Sequence, residues 1–232
     1  MSVFEAIRSQ FVPIHREGYP FIALFALVTV VVFWLLAPLG VIAAVLTVWC
    51  VWFFRDPPRV TPLRDGIVVA PADGQVCGVV RAAPPRELGL GEGAVTRISI
   101  FMSVFDCHVN RSPIAGRIEK IVYKAGAFIS ADLDKASESN ERNSFIIASA
   151  HGRLVVVQIA GLVARRIVCF ARQGATIGAG ERIGMIRFGS RLDVYLPADA
   201  QALVTEGQTA IAGETVIADL AGGTAELTFR VN

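Results

Sequence analysis

The hydrophobic residues of this chain fall into one long uncharged run near the N-terminus and many short apolar segments after it. From Gly18 to Phe54 the sequence carries no charged residue. A single membrane-spanning helix needs about 20 apolar residues, so this run is too long for one span. A Pro-Leu-Gly sequence at positions 38–40 interrupts it near the middle. The pattern therefore predicts a helical hairpin in a membrane, with helices over Phe21–Ala37 and Val41–Phe54.

Basic residues flank both ends of this run, with Arg8 and Arg16 before it and Arg55 and Arg59 after it. By the positive-inside rule both ends are cytoplasmic, which predicts a cell (inner) membrane protein whose main domain lies on the cytoplasmic face. A cleaved signal peptide is the competing interpretation, but its apolar region would be only about 7–15 residues long. Whether the hairpin spans the bilayer or re-enters it is left open. Residues 1–17 fit an amphipathic segment at the membrane surface.

After this hairpin, residues 18–54, the pattern changes to short β-prone segments separated by glycine, proline and aspartate. Residues 55–64 are predicted to be a linker, because paired prolines cannot continue a helix. The β-rich domain is then expected over residues 65–232, and the fold class is mainly β (α+β). Helical signals are scarce there, and the polar stretch Ser130–Asn143 fits a mobile loop or a short helix. The predicted strands are Gly66–Ala70, Gln75–Arg81, Ala94–Met102, Gly116–Tyr123, Ser144–Ala150, Arg153–Ile159, Arg165–Phe170, Arg182–Arg187, Leu192–Leu196 and Thr215–Asp219.

Two stretches of the β-rich region resemble each other. Residues 174–183 and 207–216 each contain a glycine, an apolar stretch and a Gly-Glu turn. This pattern occurs in the sandwiched barrels of biotinyl and lipoyl carriers, so we expect a barrel-sandwich-like β domain. It also leaves a non-catalytic interpretation open, a membrane-anchored adaptor with such a domain. A carrier is disfavoured, because carriers need a lysine at a hairpin tip and neither stretch contains one.

Charge and cysteine usage exclude several other classes. The net charge is only +2, and the basic residues are not clustered into the blocks typical of nucleic-acid binding. Nucleic acid is therefore not expected as a partner. The four cysteines lie far apart without a CxxC spacing, so neither a metal site nor a disulfide framework is predicted. Isolated cysteines of this kind are usually small buried hydrophobic residues.

One Gly-Ser pair, Gly189-Ser190, lies between two β-prone runs and occurs once in the chain. Its ordinary interpretation is a turn, because glycine adopts positive φ and short polar residues favour turns. Its chemical interpretation is an acyl shift, in which the Ser190 hydroxyl attacks the carbonyl of Gly189, where no Cβ blocks the approach. β-Elimination of the resulting ester would break the chain and leave an N-terminal pyruvoyl group. Such a carbonyl can form a Schiff base with an amine and accept electrons, as pyridoxal phosphate does.

Four motifs, occurring in a fixed order, favour the chemical interpretation. They are Pro71-Ala72-Asp73-Gly74, Phe101-Met102-Ser103-Val104-Phe105-Asp106-Cys107-His108-Val109-Asn110-Arg111-Ser112-Pro113, Asn140-Glu141-Arg142-Asn143 and Phe188-Gly189-Ser190-Arg191. With them the sequence resembles phosphatidylserine decarboxylase in its short bacterial form, from about Phe54 to Leu220. No single motif decides the matter, but four in order are specific.

The resemblance implies roles for three further polar residues. In the family the aspartate of an Ala-Asp-Gly sequence belongs to a charge relay that activates the cleavage-site serine, so Asp73 is assigned to orient or stabilise the base. Long-form members have two histidines three apart in the second motif. Here the first is His108 and the second position is Arg111. Either His108 is both the base in self-cleavage and the proton donor in decarboxylation, or another residue has replaced the missing histidine. We expect the former, which leaves Arg111 to bind an anionic group.

The function implied is decarboxylation of phosphatidylserine to phosphatidylethanolamine, through a Schiff base with a covalent pyruvoyl group derived from the serine. Self-cleavage would give a β-chain of residues 1–189 and an α-chain of residues 190–232 that remain associated as a heterodimer. The substrate partner is phosphatidylserine in the membrane, and any higher oligomer is left open. The residues expected at the site are Ser190, His108 and Asp73 in catalysis, Gly189 and Ser190 at the cleavage point, and His108 and Arg111 in substrate binding, with no metal.

Overall fold

The computed structural model describes residues 12–126, 140–161, 166–187 and 189–221, together with the backbone of 229–231. The chain divides after Pro58 into an N-terminal helical unit and a second unit built mainly of strands. Strand exceeds helix in the residues described. The fold class expected from the sequence, mainly β with N-terminal helices, is confirmed.

The helical unit contains two apolar helices. A short 3-10 helix, Arg16–Gly18, leads into α1 (Tyr19–Leu35), and α2 (Ala37–Phe53) follows after one non-helical residue. That residue is Leu36, whose φ and ψ of −151° and 90° are extended. The expected break at position 38 is therefore wrong by two residues. Pro38 lies in the first turn of α2 instead. The N–H groups of a first turn have no partner within the helix, so a proline there costs no hydrogen bond.

The two helices lie against each other, and two threonines meet between them. The hydroxyl oxygens of Thr29 on α1 and Thr47 on α2 lie 2.8 Å apart. Together with the 3-10 turn, α1 gives a 20-residue stretch, Arg16–Leu35, that is long and apolar enough to cross a membrane, whereas α2 is a shorter apolar helix. No side chain of α1 is buried in the protein. The apolar surface of α1 is thus available to lipid.

The second unit is built from short strands and tight turns. Its described strands are β1 (Val60–Pro62), β2 (Ile67–Val69), β3 (Gly74–Ala82), β4 (Val95–Met102), β5 (Val109–Arg111), β6 (Gly116–Lys124), β7 (Arg142–Ser149), β8 (Gly152–Ala160), β9 (Ile167–Cys169), β10 (Thr176–Ile177), β11 (Arg182–Ile186), β12 (Ser190–Tyr195), β13 (Gln201–Ala202), β14 (Thr209–Ala210), β15 (Val216–Asp219) and β16 (Phe229–Val231).

The ten strands expected from the sequence are all present, with ends that differ by at most two residues. The strands that sequence reasoning missed have only two or three residues, too few for a period-2 pattern to show. One of them, β1, lies in the predicted linker. The stretch predicted as a loop or short helix ends inside β7, which is a correction, while its residues 130–139 lie outside the described residues.

Antiparallel pairing organises these strands into one large sheet and three small ones. The large sheet has eight strands in the order β10-β6-β7-β8-β12-β4-β3-β14 and curls into a half-barrel. Three-stranded sheets form in the orders β5-β11-β9 and β13-β15-β2, and β1 pairs with β16. Strand β12 is internal to the large sheet, with β8 on one side and β4 on the other.

The main core lies between the large sheet and the two three-stranded sheets. Leu192 on β12 packs there with Ile183 of β11 and Ile217 of β15, all fully buried. A second apolar cluster covers the opposite face of the large sheet and includes Val157 and Tyr195. Because successive side chains of a strand point to opposite faces, both faces of β12 are covered. All six of its residues are buried, the polar ones included.

The internal similarity in the sequence corresponds to a structural repeat. In each copy two glycines with positive φ donate backbone hydrogen bonds of 2.7–2.8 Å. One bond goes to a carbonyl just before a strand, and the other goes to a carbonyl within the first residues of the same strand. The two copies thus hold β6 and β3 in the same way, as expected for a barrel-sandwich-like domain. The donor–acceptor pairs are Gly174–Ile118 and Gly180–Ser112 in one copy, and Gly207–Val76 and Gly213–Ala70 in the other.

Substitution of Gly74, the first residue of β3, is expected to destabilise the β unit. Gly74 has a φ of +145°, and an added Cβ would lie 2.0 Å from the carbonyl oxygen of Phe101. Gly74→Ala should therefore cost about 2 kcal/mol or more, from backbone strain and the clash. The matched control is Gly78→Ala on the same strand, where nothing lies within 4 Å of the added Cβ.

Thermal unfolding of the detergent-solubilised chain measures both variants. We expect Gly74→Ala to lower Tm by roughly 4–8 °C and Gly78→Ala to leave it nearly unchanged. Equal Tm values for the two variants would contradict the close approach of β3 to β4 at this point.

Candidate active site

Gly189 and Ser190 lie where the chain enters the centre of the large sheet. Ser190 is the first residue of β12, in register with Met102 on β4 and Ala160 on β8, and its side chain is fully buried. Gly189 has a φ of +65°, in the left-handed region. An added Cβ would lie no closer than 4.0 Å to Val104. Positive φ rather than crowding is thus the reason for glycine at this position.

His108 presents a hydrogen-bond acceptor to the N–H of Gly189. It lies in the loop between β4 and β5, where the sequence predicted it, and is fully buried. Its Nδ1 is 3.0 Å from the carbonyl oxygen of Asp106, and its Nε2 accepts the N–H of Gly189 at 3.3 Å. A carbonyl can only accept, so Nδ1 carries the hydrogen and Nε2 carries the lone pair. The side chain is therefore a neutral imidazole aimed at the Gly189-Ser190 segment.

The Gly189 carbonyl and the Ser190 hydroxyl also have defined partners. The carbonyl oxygen of Gly189 accepts the N–H of Gly161 at 3.1 Å. The hydroxyl of Ser190 lies 4.0 Å from Sδ of Met102, which is a weak acceptor. The peptide bond before the serine is thus polarised, while the serine oxygen makes no strong bond to Met102 that would oppose its rotation.

Asp73 lies elsewhere in the hydrogen-bond network. One carboxylate oxygen is 2.6 Å from Nη2 of Arg59, and the other accepts the N–H of Ala212 at 2.8 Å. The structure therefore brings together Ser190 and His108 but gives Asp73 other partners. In this uncut chain a backbone carbonyl, that of Asp106, fixes the tautomer of His108. Sequence reasoning missed this contact, because a main-chain acceptor leaves no signature in the side-chain pattern.

Arg111 is part of the interior. It lies on β5 with 1% of its surface exposed, and its Nη1 donates to the carbonyl of Gly180 at 2.9 Å. Gly180 belongs to the turn of the structural repeat. The guanidinium group thus ties β5 to that turn, and an anion would reach it only if the turn moved. Its assignment to substrate binding stays a prediction.

Sequence reasoning also missed a chain of buried amides beside Ser190. Asn143 Nδ2 donates to Oε1 of Gln158 at 3.1 Å, and Gln158 Nε2 donates to Oδ1 of Asn110 at 2.7 Å. Asn110 Nδ2 lies 3.5 Å from the Met102 sulfur, the same atom that the serine hydroxyl faces. The available signal was polar residues at core positions, since Gln158 interrupts a continuous apolar run in β8.

A buried ion pair lies within β12 just after the serine. Arg191 donates through Nε and Nη2 to the two carboxylate oxygens of Asp193, at 2.9 and 3.1 Å, and both side chains are buried. Arg97 on β4 lies 4.0 Å from the same carboxylate. Burial raises the pKa of the neighbouring Cys77 thiol and Tyr195 phenol, so both stay neutral near pH 7. Arg191 and Asp193 therefore compensate each other's charge, and Arg97 adds a second positive charge near the carboxylate.

The fold and this geometry together define a mainly β domain that carries a buried serine beside a neutral histidine. Among the described residues, no group of three His, Cys, Asp or Glu side chains could hold a metal ion. The model of the phosphatidylserine decarboxylase family matches residues 46–218, more than half of the chain. The chain belongs to this family, which is a family of carboxy-lyases. The family expected from the four motifs is confirmed, and the non-catalytic adaptor is set aside.

The buried pair on β12 predicts a non-additive effect of substitution. Asp193→Leu alone removes the carboxylate that pairs with the buried Arg191 guanidinium and should cost about 3 kcal/mol. Replacing both residues, as Arg191→Met with Asp193→Leu, should cost less than either single change, because the buried Arg191 charge is removed together with the carboxylate that pairs with it. Urea unfolding in a Ser190→Ala background, which keeps the chain uncut, measures each variant.

The control for this cycle is the exposed pair of Arg153 on β8 and Glu119 on β6, which are 2.7 Å apart across the intervening strand β7. Glu119→Gln should leave the urea midpoint nearly unchanged, since exposed pairs contribute little. A double variant less stable than both single variants would show that the buried pair is not what stabilises β12.

Proposed function

We propose that the chain cleaves itself between Gly189 and Ser190 and then decarboxylates phosphatidylserine to phosphatidylethanolamine. The observation that carries this proposal is the acceptor nitrogen of His108, 3.3 Å from the Gly189 N–H, beside a buried serine at a strand start. The family match supplies the substrate class. Since Ser190 and His108 are fully buried in the uncut chain, processing precedes substrate binding.

Self-cleavage begins with rotation of the Ser190 hydroxyl toward the Gly189 carbonyl. His108 Nε2 takes the serine proton as Oγ bonds to the carbonyl carbon. The bond from that carbon to the Ser190 nitrogen then breaks, the nitrogen receives the proton, and an ester links the two residues. Removal of the Ser190 α-hydrogen expels the Gly189 carboxylate. Water then replaces the nitrogen of the resulting dehydroalanine, with release of ammonia.

The products are a β-chain of residues 1–189 and an α-chain of residues 190–232. They remain associated in this account because β12 is hydrogen-bonded to β8 and β4, both of which belong to the β-chain. Leu192 and Val194 also stay in the main core. The break lies just before the first residue of β12, so no strand of the large sheet has to be divided.

The residues around Ser190 fit the pyruvoyl group that this reaction would leave in its place. The group would supply a carbonyl that condenses with the substrate amine and accepts electrons as carbon dioxide leaves. His108, whose Nε2 lies 3.3 Å from the Gly189 nitrogen, would return a proton to the substrate. The apolar and amide side chains around Met102 would keep bulk water from the reacting atoms.

The helical unit would hold the enzyme at the bilayer that contains its lipid substrate. The apolar residues of α1 are exposed, with Trp34 at 87% and Val30 at 68%. We propose the cell membrane as its location, with the β unit on the cytoplasmic face, because basic residues flank both ends of the apolar run. Confinement to the surface would turn the search for lipid into two-dimensional diffusion.

Ser190→Ala is expected to abolish both cleavage and decarboxylation, because it removes the attacking oxygen. The measurement is the denatured intact mass of the purified chain, together with release of carbon dioxide from carboxyl-labelled phosphatidylserine. The matched control is Ser99→Ala, since Ser99 is also a buried serine and lies on the neighbouring strand β4. Two fragments in the control and one uncut, inactive chain in the variant are expected. Full activity of uncut Ser190→Ala would overturn the proposal.

His108→Gln should slow self-cleavage by about 100-fold or more, because the base is lost while the side-chain volume is nearly kept. Cleavage of freshly synthesised chain, followed on a denaturing gel, measures the rate. His151→Gln is the control. His151 lies in the turn between β7 and β8, as the sequence predicted, and its Nε2 is 2.9 Å from Asp65. Equal rates for the two variants would remove His108 from the reaction.

A further inference from the structure

The carbonyl that Ser190 would attack is already bound by a backbone donor. The N–H of Gly161 donates to the Gly189 oxygen at 3.1 Å. Gly161 is buried and comes directly after β8, opposite the start of β12. A backbone N–H placed in this way can stabilise a carbonyl oxygen that becomes negatively charged.

Asn140 holds the peptide group that carries this donor. Its Nδ2 donates to the carbonyl oxygen of Ala160 at 2.8 Å, and both residues are buried. The Ala160 carbonyl and the Gly161 N–H belong to one planar trans peptide group and point in opposite directions. Fixing the oxygen at one end therefore fixes the direction of the N–H at the other. The N–H of Ala160 is held as well, by the carbonyl of Glu141 at 2.9 Å.

We infer that the Gly161 N–H is the oxyanion donor of self-cleavage and that Asn140 is the residue that positions it. The inference rests on the proposed self-cleavage. As Ser190 Oγ bonds to the Gly189 carbon, the carbonyl electron pair moves onto the Gly189 oxygen and the serine proton passes to His108. The Gly161 N–H faces that oxygen before the reaction begins, so it stabilises the new charge without reorganisation. When the carbon–nitrogen bond breaks, the electron pair returns to the carbonyl.

This role accounts for the third sequence motif. In this motif, the side-chain amide of Asn140 donates to the Ala160 carbonyl, and the backbone carbonyl of Glu141 accepts the Ala160 N–H. Its last residue, Asn143, begins the amide chain that leads to the sulfur beside the serine. The motif therefore serves both atoms that react, the carbonyl of Gly189 and the hydroxyl of Ser190.

Two substitutions at position 140 test the inference in the full-length chain, synthesised without cells in the presence of lipid nanodiscs. Asn140→Asp and Asn140→Ala both remove the amide donor and should slow cleavage about tenfold or more at pH 8. The control is Gln75→Glu. It removes a different hydrogen bond from a side-chain amide to a backbone carbonyl, the one from Gln75 Nε2 to the Gly207 oxygen at 3.1 Å. It should cleave at the wild-type rate.

The pH dependence separates positioning from general destabilisation. A protonated aspartic acid can donate its O–H to the Ala160 carbonyl, and burial raises the pKa of a carboxyl group. The protonated form prevails below that pKa. The ratio of the wild-type rate to the Asn140→Asp rate should therefore fall toward one between pH 8 and pH 5. The ratio for Asn140→Ala should stay constant, because alanine offers no donor at any pH.

Hydrogen exchange gives a readout that does not depend on cleavage. In an uncut Ser190→Ala background, Asn140→Ala should speed exchange of the Gly161 amide about tenfold, with protection of β4 unchanged. Unchanged exchange, or cleavage of Asn140→Ala at the wild-type rate, overturns the inference and leaves self-cleavage intact. A wild-type chain that stays uncut overturns the proposed function itself. Should Asn140→Ala not fold, the pH dependence of Asn140→Asp decides alone.

Discussion

The site depends on the hydrogen bonding of β12 along both of its edges. Ser190 is held in register between Met102 and Ala160, so the backbone on one side of the proposed cleavage point is part of a rigid sheet. Gly189, one residue earlier, leaves that geometry through a positive φ. The peptide bond between them is therefore where an ordered strand meets a turn. The Gly189 carbonyl in this bond faces the N–H of Gly161, and the N–H of Gly189, in the preceding peptide group, faces His108.

This arrangement places an unusual number of polar groups inside an apolar core. Arg191 and Asp193 pair with each other, and the amides of Asn143, Gln158 and Asn110 form a continuous chain. A buried polar group is tolerated when it is bonded, and a bonded network fixes its members in one arrangement. The cost of burying these groups is thus offset by their mutual bonds. In return, the strand and loops around the serine have little freedom to shift.

The burial of Ser190 and His108 bears on how a lipid substrate could reach the site. A site closed in the uncut chain cannot admit a lipid, so the self-cleavage that we propose would also have to open its surroundings. A cut before β12 frees one end of that strand while its pairing with β8 and β4 keeps it in place. The apolar helix α1 is suited to hold the same chain at a bilayer.

The sequence alone determined the features that depend on local pattern. The apolar run predicted the two helices, alternation predicted the longer strands, and four ordered motifs indicated the family that the match confirms. Only the tertiary structure decided which groups meet. It gave His108 a main-chain partner in Asp106 and paired Asp73 with Arg59. It also brought the N–H of Gly161 to the Gly189 carbonyl and the amide of Asn140 to the Ala160 carbonyl. Side-chain periodicity reports which face of a strand is buried, but contacts made by backbone atoms across distant strands are set by sheet register, which no local pattern encodes.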